Sequence, residues 1–398
     1  MPIMLEQSKL DVINKSRSNI FNWRGQFTPQ FVEYILHKFS SKGDVILDPF
    51  CGSGTVLRES AMAGFSAVGL EINPAAYAMA KFYSLCNLNI NERQEMFNSL
   101  TVKINKAIMP YGSMPLLNLD RALFRDRYRN LLGFGKQLLE HIKEKQEKLL
   151  ALLILFYAED SPREDLLSAI YKAQSNLSDH LLSLPYTKVN IQAELCDARL
   201  SHQCLQSKVN LIITSPPYIN VFNYHQNYRA IIELLGFDIL KVAESEMGSN
   251  RKNRGNRYKT VLQYCLDMEL VLQSLANSLS PNGHLIMVIG RESRVRGIPF
   301  YNSLIVKEII LSLKCFKLCG VSQRGFVNRF GEKIYEDILI VQRNNVLPQL
   351  GNGRDIAMEH LKKGLIQSEK DVRIDILTAL AESKLVTPSP LFDGREII

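Results

Sequence analysis

The chain has 398 residues, 46% hydrophobic and 22% charged, with 48 basic against 40 acidic side chains and a formal charge of +8. These fractions are those of a folded soluble protein and exclude disorder as the main state, while the length calls for a core domain carrying an insertion or appendage. The positive bias is compatible with a polyanionic partner without proving one, and the longest strongly apolar run, Leu149 to Ala158, is far short of the roughly 18–20 residues of a membrane span. The opening residues lack the basic-then-apolar pattern of a secretion signal. The seven cysteines are scattered with no Cys-x-x-Cys pair, so neither a disulfide framework nor a zinc knuckle is expected, and a reducing cytoplasm fits best.

In chain order, residues 1–43 start polar and become periodic from Phe27, with Phe31, Tyr34, Ile35 and Phe39 at helical spacing behind an N-cap Thr28 and an N1 proline, Pro29. Val45-Ile46-Leu47 then reads as a buried strand running into a Gly-rich turn, Thr55 to Ala63 as a helix, and Ser66 to Ile72 as the next strand. Asn73-Pro74 opens another helix. Residues 90–187 carry long amphipathic stretches and few strand signals, which reads as a helical insertion. From about 188 to 343 the α/β rhythm returns. Strands are expected at 189–196, 209–214, 284–290, 316–322 and 334–342, and helices near 261–279 and 302–313. Such alternation argues for a mostly parallel sheet with helices on both faces, the last two strands forming an antiparallel hairpin at its edge. The tail is helical near 354–382 and thins into Thr-Pro-Ser-Pro. The organisation expected is therefore 1–89 and 188–343 as two halves of one core, 90–187 as the insertion, and 344–398 as a helical extension.

Two places carry chemistry. Asp48-Pro49-Phe50-Cys51-Gly52-Ser53-Gly54-Thr55 lies where a buried strand turns into a helix, and ligands of open α/β sheets bind outside such carboxyl ends. Leu57 stands where a dinucleotide fingerprint has its third glycine, and Asp48 would repel a pyrophosphate but suits a ligand amino group. Glu71, ending the next strand, is placed to accept both hydroxyls of a ribose. Cys51 has no basic neighbour in sequence and reads as a packing residue. The second place is Thr214-Ser215-Pro216-Pro217-Tyr218, at the end of the strand Val209 to Ile213. Two prolines stop the ladder and stiffen the turn, presenting a hydroxyl (Ser215), a carbonyl (Pro216) and an aromatic face (Tyr218). That set suits a planar heterocycle with an exocyclic amine.

Asp48–Thr55, then Glu71, then Ser215-Pro216-Pro217-Tyr218 resembles the amino-group DNA methyltransferases that use S-adenosylmethionine. Gly25 to Pro29 resembles the cofactor-side segment this family places before its glycine loop, Asp197 the acid near the cofactor adenine, and Leu279 to His284 the turn into the fifth strand. The resemblance implies a Rossmann-like methyltransferase fold, with a mostly parallel seven-stranded sheet and an antiparallel edge hairpin. It implies cofactor contacts at Phe27, Thr28 and Pro29; at Asp48, Pro49, Phe50, Gly52, Gly54 and Thr55; at Glu71 and Ile72; and at Asp197. Catalysis falls to Ser215, Pro216, Pro217 and Tyr218. Serine before Pro-Pro-Tyr resembles the enzymes acting on N4 of cytosine, the alternative being N6 of adenine. The absence of a Pro-Cys dipeptide removes the cysteine route to ring-carbon methylation.

Double-stranded DNA is the expected partner, with a cognate restriction endonuclease acting on the same site as a further one, and no membrane. The segment Gly248 to Lys259 carries Arg251, Lys252, Arg254, Arg257 and Lys259 without an acid and is the first candidate for phosphate contacts; Arg121, Arg125 and Arg129, and Arg291, Arg294 and Arg296, are others. Target recognition could reside in 90–187, in 240–260 or in the tail. His225 and His284, isolated from one another and from carboxylate clusters, read as structural or surface residues, and no metal is proposed. An RNA substrate and a catalytically silent DNA-binding subunit are the competing readings.

Overall fold

A computed structural model of the chain describes residues 2–12, 16–111, 121–219, 224–249, 252–327 and 331–392. Seven strands form its main sheet: β1 (Val45–Asp48), β2 (Ser66–Glu71), β3 (Ile191–Leu195), β4 (Val209–Thr214), β5 (Leu279–Gly290), β6 (Phe316–Val327) and β7 (Lys333–Arg343). They lie in the order β3-β2-β1-β4-β5-β7-β6. The pairs from β3 to β5 are parallel, and β7 alone runs against its neighbours. This is the mostly parallel sheet with an antiparallel edge hairpin that the sequence led us to expect.

The strand sequences are apolar almost throughout because both faces are covered. Successive residues alternate between two cores. Ile46, Leu211, Ile213, Ile286, Val288, Ile338 and Ile340 join the core on one face. Leu47, Ile212, Leu285, Met287, Leu339 and Val341 join the core on the other. The first core holds the helices α1 (Pro29–Phe39), α2 (Thr55–Ala63) and α3 (Pro74–Lys81), and continues into α4 (Ile90–Ile108), α5 (Arg121–Glu140), α6 (Lys145–Asp160) and α7 (Leu166–Leu182). Leu149 to Phe156 are buried there, so the longest apolar run is a core helix. The second core holds α8 (Lys259–Ser278), α9 (Asn302–Ser312), α10 (Gly353–Ile366) and α11 (Lys370–Ala381). Among the described residues no helix is long and apolar enough to cross a membrane.

Local signals fix several element starts. Pro74 sits in the first turn of α3, and Asn73 Oδ1 accepts from the Ala75 and Ala76 amides. Thr28 and Pro29 begin α1 as expected, but the Thr28 hydroxyl makes no capping bond and is buried without a partner. A capping box of Asn89 and Glu92, which the reading did not anticipate, opens α4. Strand β5 starts at Leu279, which pairs with Val209 ahead of a register shift, rather than at His284. The helical tail consists of two helices, α10 and α11.

The Thr-Pro-Ser-Pro segment then returns to the core. Asp267 accepts from the Ser389 amide and hydroxyl, and Arg199 donates to the Ser389 and Pro390 carbonyls. At the other end of the sheet the first residues cover the edge strand, where the Ile3 amide donates to the Cys319 carbonyl at 2.8 Å. One expectation about cysteine fails: Cys196 and Cys204 are joined in a disulfide.

Candidate active site

The carboxyl ends of β1, β2, β4 and β5 open into one cavity of about 470 Å³, within the range of small-molecule sites, roughly 300–1,000 Å³. Asp48 and Glu71 line one part of it, and Ser215-Pro216-Pro217-Tyr218 line another. Two motifs far apart in sequence thus face a common space, because β1 pairs with both β2 and β4.

Asp48 is 2% exposed. Its Oδ1 accepts the Thr214 hydroxyl at 2.8 Å and the Phe50 amide at 3.2 Å, while Oδ2 carries no hydrogen bond among the described residues. Burial pushes this carboxyl up to about 7, against those two bonds. Glu71 is held differently. Its Oε1 accepts the Ile72 and Asn73 amides at 3.0 and 2.9 Å, and its Oε2 accepts the Gly52 amide at 2.9 Å. Burial again dominates and lifts the carboxyl to about 7, with the nearby Glu246 adding to the rise. Burial also raises the Cys51 thiol well above its ordinary range, which suits a packing residue.

The glycine loop needs its glycines for two reasons. Gly52 and Gly54 both have positive φ, at 52° and 89°. A Cβ on Gly54 would also come within 2.9 Å of the Ala80 backbone, so α3 can approach only a glycine. The segment before α1 fastens this loop. The Gln26 amide donates to the Ser53 hydroxyl, and the Thr55 hydroxyl donates to Asn19 Oδ1.

On the acceptor side Thr214 ties the Ser-Pro-Pro-Tyr turn to Asp48. The Tyr218 phenol donates to Glu336 Oε1 at 3.1 Å, with Ser215 as a second polar neighbour. Burial, then the Glu336 charge, push its pKa upward.

Most of the expected cofactor residues line the cavity: Phe27, Pro49, Phe50 and Gly52 with Asp48, and Thr55 and Ile72 with Glu71 and Asp197. Thr28, Pro29 and Gly54 do not, and act as helix cap, first turn and packing point. Asp197 requires a correction of role. Its Oδ1 accepts the Arg199 amide and Nε, and its Oδ2 accepts Arg199 Nη2 and the Phe392 amide. A carboxylate offers about four lone-pair sites, so none is left for an adenine amine. Asp197 anchors Arg199 and the returning tail instead.

His225 is a buried, structural residue, as one of the two expected readings has it. Its Nδ1 lies 3.0 Å from Glu246 Oε2, a single carboxylate that lines the cavity. Glu246, Trp23, Tyr335 and Glu336 line the cavity and were missed; of these only the single tryptophan, just before Phe27, offered a sequence signal.

The basic segment after the acceptor turn is partly engaged. Arg251 lies outside the described residues. Lys252 donates to Thr387 and Pro388, and Lys259 pairs with Glu382, while Arg254 and Arg257 are exposed. Arg291, Arg294 and Arg296 are paired with Asp337, Glu292 and Asp375. The side chains of Arg121 and Arg125 lie outside the description, and the exposed Arg129 is 3.9 Å from Asp126.

A family model described as a DNA methylase, of the N6 and N4 type, matches residues 6–82. The type II methyltransferase M.MjaII of Methanocaldococcus jannaschii is 20% identical over 75% of this chain and 75% of its own length. The type II methyltransferase M.BsoBI of Geobacillus stearothermophilus is 24% identical over 58% of this chain, which spans only 55% of that relative. Among solved structures, TrmN from Thermus thermophilus superposes with a TM-score of 0.32 at 12% identity, over 80% of this chain and 50% of that one, too low to carry an argument. The weight rests on the family match, which ends one residue past α3 and so includes Asp48, the glycine loop and Glu71, together with the strand order and the shared cavity. Over residues 6–82 the chain is thus similar to the DNA methylases of the N6 and N4 type, and its curated relatives are type II methyltransferases.

Proposed function

We propose that the chain methylates the N4 amine of a cytosine turned out of double-stranded DNA. The observation that carries this reading is the single cavity shared by Asp48 and Glu71 with Ser215, Pro216 and Tyr218. Its residues fit the methyl donor. Such a molecule brings a cationic amino group and a ribose diol, and the cavity offers the open Oδ2 of Asp48, one remaining site on Glu71 Oε2, and Glu246 Oε1, a buried oxygen without a partner. When bound, S-adenosylmethionine supplies a methyl group activated by its sulfonium. Asp48 would hold the amino end, and Glu71 the ribose.

An exocyclic base amine is a weak nucleophile because its lone pair is delocalised into the ring. Hydrogen bonds from that amine to Ser215 Oγ and the Pro216 carbonyl favour a pyramidal nitrogen and localise the pair. The nitrogen becomes acidic once methylated, so alignment rather than a strong base provides most of the acceleration. In a duplex the amine is paired, hence the base must leave the stack, with the Tyr218 ring as its platform. Serine ahead of Pro-Pro-Tyr favours cytosine over adenine. Arg254 and Arg257, with their basic neighbours in 248–259, would neutralise phosphates, and target recognition falls to that loop and to the helices of 90–187. A cytoplasmic setting and a companion endonuclease cutting the same site belong to this reading.

The test is transfer of labelled methyl from the donor to genomic DNA, followed by nucleoside analysis. N4-methylcytosine is the expected product. N6-methyladenine would move the reading to adenine, label confined to RNA would change the substrate, and donor binding without transfer to either would leave a silent subunit.

A further inference from the structure

Three residues from three strands stand in one row beneath Tyr218. Gly290 ends β5, Glu336 is its partner on β7, and Arg324 is the partner of Glu336 on β6. Paired residues on antiparallel strands share a face of the sheet. Gly290 has no side chain there, and the Tyr218 ring fills the space: a Cβ on Gly290 would lie 2.6 Å from Tyr218 Cε2. The phenol then reaches one strand further, to Glu336 Oε1 at 3.1 Å. Glu336 Oε2 takes both Nε and Nη2 of Arg324 at 2.6 Å, and the guanidinium lies over the Phe31 ring, 4.7 Å from its centroid. Glu336 and Arg324 are 9% and 8% exposed.

The hairpin has backbone pairing along its length beyond this pair. Its strands pair from Phe316–Arg343 to Val327–Lys333 with one register shift, between Leu318 and Gly320, and a buried ion pair is seldom more stable than apolar residues of similar volume. What the row does supply is a fixed hydroxyl and a fixed ring plane beside the acceptor turn. We propose that Glu336, braced by Arg324, is a positioning residue for Tyr218 that sets the plane on which the target base stacks. The inference rests on the methyl-transfer reading above.

The test compares three full-length proteins with the wild type: Tyr218→Phe, the pair Arg324→Met with Glu336→Leu, and all three changes together. Removing both charges at once avoids stranding a buried ion. Binding of S-adenosylhomocysteine is read by calorimetry, and kcat on unmethylated genomic DNA by label transfer. Tyr218→Phe and the charge-free pair should each lose about tenfold in kcat, the worth of one charge-assisted hydrogen bond. Binding of S-adenosylhomocysteine should change by less than about twofold, and the triple variant should be no slower than either parent, because all act through one ring. Should the charge-free pair fail to fold, Glu336→Gln replaces it in the same comparison. A charge-free pair within about twofold of wild-type kcat, or losses that multiply in the triple variant, would overturn the proposal. A wild-type protein that never labels DNA would count against the methyl-transfer reading instead.

Discussion

Gly290→Ala adds one methyl group where the Tyr218 ring lies. Its Cβ would fall 2.6 Å from Cε2, 2.9 Å from Cζ and 3.0 Å from Cδ2 of that ring. Carbon atoms in contact settle at about 3.5–4.0 Å, so either β5 bends or the ring retreats by about 1 Å. β5 is paired with β4 on one side and β7 on the other, Gly290 itself opposite Glu336, and therefore the ring yields. Its hydroxyl, already 3.1 Å from Glu336, then passes beyond hydrogen-bond range. A misplacement of about 1 Å in a positioning group can cost about a hundredfold in rate. Overpacking costs about 1–3 kcal/mol in stability, less than the roughly 5–15 kcal/mol that keeps a domain folded. We expect kcat for DNA methylation to fall about a hundredfold, with donor binding by calorimetry unchanged within about threefold, since Asp48 and Glu71 stand on β1 and β2. A Gly290→Ala enzyme with wild-type kcat would refute the reasoning, because the ring plane would then be irrelevant to turnover.

Donor affinity should rise with pH. The carboxyls of Asp48 and Glu71 are lifted to about 7 by burial, so near pH 6 each is about nine-tenths protonated and a poor partner for a cationic amine. Calorimetry across this range should show affinity climbing up to about tenfold per pH unit for each acid below 7 and levelling above it; a flat profile would remove both acids from the donor site. The donor-free protein should show the opposite trend in stability. Unfolded carboxyls titrate near 4, so from there to about 7 the folded chain holds the extra protons, and its stability drops as pH rises through that window. Arg199→Met should cost about 3–5 kcal/mol in urea unfolding, because it leaves the buried Asp197 and Asp267 without their cation and releases the Ser389-Pro390 clasp to proteolysis; an unfolding midpoint equal to wild type would show that the tail is held by other contacts.

The parts of the molecule that could be read from sequence are those whose causes are local. Val45-Ile46-Leu47 before two glycines, Asn73-Pro74 before an alanine-rich turn, and two prolines ending Val209–Ile213 each specify an element end within a few residues. The acids at those ends follow from the same windows. What escaped is set by register and by chain return. Gly290, Arg324 and Glu336 become neighbours only once β7 threads between β5 and β6. Asp197 loses its last lone pair to the Phe392 amide, 195 residues away. His225 finds Glu246 across a turn and a pair of short helices that carry no motif. Thr28 shows the converse case, with the position of the cap correct and its hydroxyl bond absent.

Asp48, Glu71 and Asp197 look alike in sequence, each an acid at or just past a strand end, and their lone pairs separate them. Asp197 accepts at all of its positions from groups of its own chain, Glu71 at three, and Asp48 at two, both on one oxygen. Leaving acceptor positions of a buried acid open is unfavourable, and burial raises the Asp48 and Glu71 carboxyls accordingly. The fold is able to close such an acid completely where only structure is at stake, and Asp197 with Arg199 is the instance. On the proposed reading, an acid kept buried and open beside it receives donors that arrive from outside the chain. Glu71, steered by three amides and open in one direction, suits a hydroxyl, whereas Asp48, with a whole oxygen unspent, suits a cation bearing several hydrogens.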